Sequence, residues 1–324
     1  MASGQAFATA ITSAGTGNWN TAATWTPVQV PTNLDTVTIA AGHTVTVNVD
    51  AVAQGLTVMP GSPGGTLTFA SNTPPYTLDV GANGISNQGT FNATNAGAIT
   101  SAATAAGIHG VYNNRTFIMG SGTLNTSGTQ GIGLENEIGG TFTGGSGLIT
   151  VTNGFRNGLS GAATFTVGSG GITLAGTVNG YSPINGTLVL NGNMTIGGNI
   201  YTGTATASGA GKMILTDAAH AITGAVNVHN LETATFTGWR TITINGAVTA
   251  TGTTKLNGVS GSLIVFAGAS TPTFTAFNSY YCSAAGGVTG ITCNAGAPPP
   301  PISASINLMS NEKPMIFAEE IEMK

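Results

Sequence analysis

The stretch "GGTFTGGSGLITVTNG", residues 139–154, has no charged side chain and sets single large apolar residues between Thr and Gly. Alternation of apolar and polar residues over four to six positions, bounded by Gly or Asn, is typical of short β-strands joined by tight turns. One such strand pair cannot bury its own apolar side. The fold therefore depends on whether the same pattern recurs along the chain.

The pattern recurs at a nearly constant interval. Short segments with the apolar residue in the same place, such as "GGTLTF", "QGTFNA" and "AATFTV", follow one another every 20–26 residues. The apolar anchors are Leu67, Phe91, Phe117, Phe142, Phe165, Leu188, Met213, Phe236 and Leu256. A period in this range is typical of a solenoid built from coils, with two or three short strands in each coil.

We therefore predict an all-β protein with a single-domain parallel β-solenoid over residues 36–280, with about 20–26 residues per coil. The anchors should stack inward, Thr should face outward, and Gly or Asn should take the turn positions that need a positive φ. A β-sandwich with similar strand lengths is the alternative, although it gives no reason for a steady interval.

Composition excludes several classes of function. Of the 324 residues, 6% are charged, and the formal net charge is −4, so no basic surface is available for nucleic acid. No run of about 18 apolar residues exists to insert into a membrane. The first fifteen residues lack the basic region and long apolar core of a complete secretion signal, although "AFA" at residues 6–8 has the form of a signal-peptidase site, so a truncated leader is an alternative.

The segment "GTGNWNTAATWTPVQVPTNLDTVTIAAGHTVTV", residues 15–47, precedes the repeat. We expect residues 1–35 to form an amino-terminal segment in which Trp19 and Trp25 cap the first coil, because the open end of a solenoid exposes core and strand edges. A sugar-binding platform made by the two Trp side chains is the functional alternative.

This segment resembles a known kind of protein. Two Trp residues, "VPT", an Asp and then "GHTVTV" resemble the start of repetitive parallel β-helix proteins of phage virions and bacterial surfaces, and loosely resemble G8-type domains. The resemblance covers roughly the first sixty residues. It implies a β-solenoid of the extracellular type and carries over no catalytic residue.

Charged residues give little indication of catalysis. Within the repeat region, Glu135 and Glu137 are the only local carboxylate pair and share a strand face if that piece is extended, but a pair without a cleft is weak evidence for a glycosidase. Asp217 and Arg240 fit a surface ion pair between adjacent coils. We therefore predict no catalytic residue, no cofactor and no enzyme activity.

The histidines show no metal-ligand spacing with one another or with Cys, and they are expected at turns or strand edges. They are His43, His109, His220 and His229. No Gly-x-Ser-x-Gly elbow stands beside suitable partners either, so the sequence predicts neither a metal site nor a nucleophilic serine.

Composition changes in the last part of the chain. Residues 281–296 form a loop bracketed by Cys282 and Cys293, which can close a disulfide in an oxidising compartment or remain thiols in cytosolic assembly. Residues 297–301 are a polyproline spacer. Residues 302–324 are predicted to be an extended assembly arm that docks on another subunit by strand addition, and a disordered terminus is the alternative. The apolar residues of the arm are Ile302, Ile306, Leu308, Ile316, Phe317 and Ile321.

Together these features predict a non-enzymatic structural protein of an extracellular assembly. The favoured interpretation is a fibre, spike or decoration subunit of a phage virion that binds other copies of itself and other structural subunits, and whose Thr- and Gly-rich faces adhere to cell-surface glycans by avidity. A secreted or cell-surface bacterial adhesin or extracellular fibre subunit is the first alternative. A polysaccharide-degrading β-helix enzyme is the second.

Overall fold

The computed structural model consists almost entirely of short β-strands. It describes residues 8–129, 132–158, 161–175, 186–198, 200–216, 220–234, 241–245, 248–256, 263–266, 273–279 and 282–284. The one helix in this part of the chain is the 3-10 turn Ala22–Thr24.

The strands are numbered in chain order. The amino-terminal segment contains β1 Ala10–Ser13, β2 Gly17–Asn18 and β3 Trp25–Thr26. The first coils contain β4 Thr36–Ile39, β5 Thr44–Val47, β6 Ala51–Ala53, β7 Gly55–Val58, β8 Thr66–Phe69, β9 Leu78–Val80, β10 Ile85–Asn87, β11 Thr90–Ala93 and β12 Ala98–Ala103. The middle coils contain β13 Val111–Asn113, β14 Thr116–Met119, β15 Thr123–Gly128, β16 Leu134–Asn136, β17 Thr141–Thr143, β18 Ile149–Thr152, β19 Phe155–Asn157, β20 Thr164–Val167 and β21 Ile172–Ala175. The later coils contain β22 Thr187–Leu190, β23 Met194–Ile196, β24 Ile200–Ser208, β25 Lys212–Leu215, β26 His220–Val228, β27 Asn230–Thr233, β28 Thr241–Asn245, β29 Val248–Leu256, β30 Leu263–Phe266, β31 Thr273–Ser279 and β32 Cys282–Ala284.

Strands of successive coils pair in parallel and form three faces. The first face runs β1–β4–β7–β10–β13–β16–β19, with β3 added antiparallel beside β1. The second face runs β5–β8–β11–β14–β17–β20–β22, and the third runs β6–β9–β12–β15–β18–β21–β23–β25–β27. The predicted parallel β-solenoid is confirmed, with about nine turns.

A stack of phenylalanines occupies the core under the second face. Phe91, Phe117, Phe142 and Phe165 lie on successive strands in register and are fully buried. Their ring centroids are 4.3, 4.8 and 4.5 Å apart, with interplanar angles of 5°, 13° and 12°. These distances match the spacing between paired strands, about 4.8 Å, so each ring fills one coil and contacts the next.

The predicted anchor series holds from Leu67 to Leu188 and then fails. Leu188 pairs with Ala207 on β24, only 19 positions later, whereas Met213 pairs with Met194 and Leu231 on the third face. The placement of Met213 after Leu188 was wrong because the coil shortens here below the predicted 20 residues. Phe236 lies outside the described residues.

Two rows of mostly threonine cover the outside of the second face, as expected for a strand whose alternate residues point to solvent. The first row is Thr44, Thr66, Thr90, Thr116, Thr141, Thr164 and Thr187. The second row is Thr46, Thr68, Asn92, Ile118, Thr143, Thr166 and Val189. We call these two rows the threonine face.

Four asparagines at the ends of first-face strands have a role that the sequence analysis missed. Asn87, Asn113, Asn136 and Asn157 are fully buried. The Nδ2 of each of the first three donates to the Oδ1 of the next Asn at 2.7 Å, and the Nδ2 of Asn157 donates to the Thr187 carbonyl oxygen at 3.0 Å. Asn was assigned to turns with positive φ, but among the described residues only Asn153 fits that assignment. The buried amides instead stabilise the corner between the first and second faces, because each satisfies its neighbour.

The amino-terminal segment packs into the start of the core. Trp19 and Trp25 are buried, their rings meet edge to face at 5.2 Å, and the Trp25 Nε1–H donates to the Trp19 carbonyl oxygen at 2.8 Å. Both rings are enclosed in the core, so neither indole face is available as a sugar platform.

Asp35 ties the same segment together. Its carboxylate accepts hydrogen bonds from the backbone N–H of Thr9 and from the N–H and hydroxyl of Thr32 at 2.7–2.9 Å. Burial raises the pKa of Asp35, but the hydrogen bonds from Thr32 and Thr9 outweigh it and hold that pKa below its usual value.

The phenylalanine stack yields a direct stability test. We expect Phe142→Ala to lower the free energy of unfolding by about 3–5 kcal/mol, because it leaves a cavity between two rings. Phe142→Leu should cost less, since Leu67 and Leu188 occupy the same row. Urea unfolding followed by circular dichroism measures both variants. Equal losses for Ala and Leu would contradict the proposed role of the stack.

Candidate functional site

The outward positions of the first face bring charged residues together. Ser86, Tyr112, Glu135 and Arg156 are the middle residues of β10, β13, β16 and β19, and they lie in register in four successive coils. In each three-residue strand the first and third side chains point inward, so the middle one faces out. The short strands therefore place a phenol, a carboxylate and a guanidinium side by side.

His109 closes over this row from the loop before β13. Its Nε2 lies 2.8 Å from Glu135 Oε2, and its Nδ1 lies 3.2 Å from the backbone nitrogen of Ile132. Because the Ile132 N–H donates to Nδ1, the ring carries its proton on Nε2 and donates it to the carboxylate. The imidazole also stacks on the Tyr112 ring, with centroids 6.0 Å apart and an angle of 20°.

Arg156 and Glu137 complete what we call the charged cluster: His109, Tyr112, Glu135, Glu137 and Arg156. Arg156 Nη1 lies 3.6 Å from Glu135 Oε1, and Glu137 Oε1 accepts the backbone N–H of Ile138 at 3.0 Å. Both glutamates are buried, whereas the side chains of His109 and Arg156 stay 24% and 21% exposed. The cluster is therefore accessible to solvent at the imidazole of His109 and the guanidinium of Arg156.

The environment keeps Glu135 ionised. Burial raises the pKa of its carboxyl group, but the hydrogen bond from His109 and the charge of Arg156 outweigh burial and hold the pKa below its ordinary value. The pKa of Tyr112 is raised by burial and by the charges of Glu137 and Glu135, against a hydrogen bond with Asn114. Tyr112 therefore keeps its proton at neutral pH.

These protonation states suit binding better than acid–base hydrolysis. A glycosidase acid needs a carboxyl group with a raised pKa, and its two carboxyl groups stand about 5 Å or more apart. The pKa of Glu135 is lowered, which is the opposite of what the acid requires. The cluster instead holds the negative charge of Glu135 beneath the donor groups of His109 and Arg156. Ile108 and Ile138 are exposed beside it.

Spacing in the sequence singled out Glu135 and Glu137, but it assigned no role in a site to His109, Tyr112 or Arg156. A signal was present in the triplets "ISN", "VYN", "LEN" and "FRN", each an inward apolar residue, an outward residue and a ladder Asn. Aligning the triplets would have placed the three outward side chains of β13, β16 and β19 in one row. His109 was expected at a turn or strand edge, and it does lie in the loop before β13. Its side chain is not isolated, however, because it contacts Glu135.

Several other predicted residues fall outside the described part of the chain. These are Asp217, Arg240, Cys293 and the arm residues Ile302, Ile306, Leu308, Ile316, Phe317 and Ile321. Cys282 begins β32. A different pair, Lys212 and Glu232, joins adjacent coils on the third face, with Nζ and Oε1 2.8 Å apart.

Neither a metal site nor a membrane helix is found in the described ranges. No three His, Cys, Asp or Glu side chains there lie close enough to hold a metal ion. No helix there has both the length and the apolar character needed to cross a bilayer.

Comparison of the chain with protein-family models, with curated proteins and with solved structures finds no match. Function is therefore inferred from the fold and from the residues themselves.

The charged cluster predicts an acid-dependent stability. Glu135→Gln should lower the free energy of unfolding at neutral pH by roughly 1–3 kcal/mol, because the Gln side chain replaces charge-assisted hydrogen bonds with neutral ones. Since the pKa of Glu135 is lower in the folded state, its contribution is present above the reference value of 4.5 and is lost as pH falls through the folded pKa. In urea unfolding the two proteins should therefore converge as pH falls from about 5 through the folded pKa of Glu135.

Glu232→Gln is the matched control, because Glu232 pairs with the more exposed Lys212. It should cost no more than about 1 kcal/mol at neutral pH. A Glu135→Gln deficit that stays constant across the acid range would contradict the lowered pKa.

Proposed function

We propose that the chain is a non-enzymatic structural subunit of an extracellular assembly, most specifically a fibre, spike or decoration subunit of a phage virion. One observation carries this proposal: the parallel stack continues in register from β4 to β22, with large apolar side chains buried in successive coils. Each coil contacts only its neighbours, so the product is a stiff rod with long lateral faces rather than a domain built around one pocket. Rods of this kind suit load-bearing and adhesive roles.

The surface of the rod favours contact with other subunits and with glycans. The seven strands of the second face between β5 and β22 contain no charged residue, and threonines dominate their outward positions. A long uncharged face costs little to desolvate, and many copies in one assembly convert weak contacts into avidity. The partners in this proposal are other copies of the chain, other structural subunits and cell-surface glycans, and the location is the virion.

We propose that the arm of residues 302–324 attaches the chain to a neighbouring subunit. Its alternating apolar residues, with Ile302 and Ile306 at the start, would add a strand to a neighbouring subunit. The resemblance of the amino-terminal segment to phage and bacterial-surface β-helix proteins favours the same setting. A secreted bacterial adhesin or extracellular fibre is the first alternative, and a Cys282–Cys293 disulfide would favour it.

A polysaccharide-degrading enzyme is the second alternative, and the charged cluster is the observation that favours it. Carboxylate, phenol, imidazole and guanidinium groups meet there on an outer face of a β-solenoid. The pKa of Glu135 is lowered and that of Tyr112 is raised, so both are moved away from neutral pH, where a general acid or base works best. We therefore place the binding and structural roles first.

Immunogold electron microscopy of the natural source tests the location. Antibodies raised against the purified chain should label phage particles. Label confined to cell surfaces or to secreted fibres would overturn the virion proposal and establish the first alternative.

Incubation of the purified chain with surface polysaccharides of the host tests the absence of catalysis. We expect binding without new chain ends, both for the natural sequence and for Glu135→Gln. Cleavage that Glu135→Gln abolishes would overturn the non-enzymatic proposal.

A further inference from the structure

We propose that the threonine face binds the surface of ice crystals. This activity does not depend on which assembly carries the chain. The inference rests on the regular register and the chemistry of that face, and on the parallel aromatic rings beneath it.

The two rows form a two-dimensional lattice. Along each row, side chains repeat at the spacing of paired strands, about 4.8 Å, and the two rows are two residues apart, about 6.6 Å along each strand. The register runs without a slip from β5 to β22, so the lattice extends over seven coils. Water oxygens on planes of hexagonal ice repeat at similar distances in two perpendicular directions.

The nearly parallel rings of the phenylalanine stack favour straight rows in this lattice. Neighbouring strands of an ordinary sheet are rotated by about 20–25°, which would curve any outer row. Here the rings of Phe91, Phe117, Phe142 and Phe165 are inclined to one another by 5°, 13° and 12°. Because these rings lie directly beneath the threonine face, their nearly parallel planes favour little rotation between successive coils and straight rows above them.

The chemistry of the face suits ordered water. Each Thr presents a hydroxyl that both donates and accepts hydrogen bonds, and a methyl group that restricts the orientations of nearby water. The second row departs from Thr at Asn92, Ile118 and Val189, and Ile118 and Val189 keep a branched methyl at the same position. No charged side chain within these strands holds a hydration shell that would disrupt an ice lattice.

Among the strands that the structure describes, the other two faces lack this combination. The first face carries the charged cluster, and the third face includes Asp79, Lys212 and Glu232 in its strands. An extended array is needed because each hydroxyl or methyl contact with ice competes with an equivalent contact with liquid water. Only many simultaneous contacts on one rigid surface produce lasting adsorption.

Ice-affinity partitioning of the full chain tests the proposal. Ice is grown slowly on a cold surface in a dilute solution of the protein, and the fraction incorporated into ice is compared with that of a non-binding protein of similar size. We expect the natural sequence to be enriched in ice. Exclusion of the natural sequence to the level of the non-binding protein would overturn the proposal.

Two variants in one coil locate the binding face. Thr143→Lys places a charge in the second row, whereas Thr150→Lys places the same charge on the outer side of β18 in the third face; both threonines are half-buried. Thr143→Lys should lose its enrichment in ice, and Thr150→Lys should keep it. Equal partitioning of the two variants would overturn the assignment to the threonine face.

Circular dichroism and urea unfolding establish that each variant retains the fold. If Thr143→Lys is unfolded, the more exposed Thr141→Lys in the first row replaces it. Retained enrichment in a folded Thr141→Lys variant would again overturn the assignment.

Discussion

The contact between identical apolar positions of successive coils is the constraint on which the rest of the structure depends. A coil of two or three short strands cannot bury its own apolar side, and it becomes stable only when another coil covers it. The phenylalanine stack, with centroid distances of 4.3–4.8 Å, sets both the spacing and the register of that contact. The asparagine ladder at the corner and the threonine face outside then repeat in the same register.

The same constraint explains the low content of charged residues. In a parallel stack, equivalent side chains of neighbouring coils lie about 4.8 Å apart, so a repeated charge would form a row of like charges that repel one another. The charges found on adjacent strands are complementary instead, as in Glu135 with Arg156 and Lys212 with Glu232. Long stretches of surface are left uncharged, and the proposed adhesive and ice-binding roles use that surface.

The sequence was informative where one residue type recurs at one interval. The anchors from Leu67 to Leu188 could be aligned because a Thr precedes each of them. Met213 was misplaced because the coil shortens after Leu188. Met213 belongs to the third face, but it falls at the interval expected for the next anchor of the second face. The asparagine ladder was hidden by the general preference of Asn for turns. The contact of His109 with Glu135 depends on the path of the loop before β13, and local spacing does not encode that path.

Distances between spin labels on the threonine face test the stacking of the coils most directly. With Cys282 and Cys293 replaced by Ser, labels at Thr44→Cys and Thr187→Cys are separated by six coil steps, and labels at Thr90→Cys and Thr187→Cys by four. At about 4.8 Å per step, pulsed electron paramagnetic resonance should give separations near 29 Å and 19 Å. Separations that do not grow in proportion to the number of coils, as in a β-sandwich, would contradict the parallel solenoid.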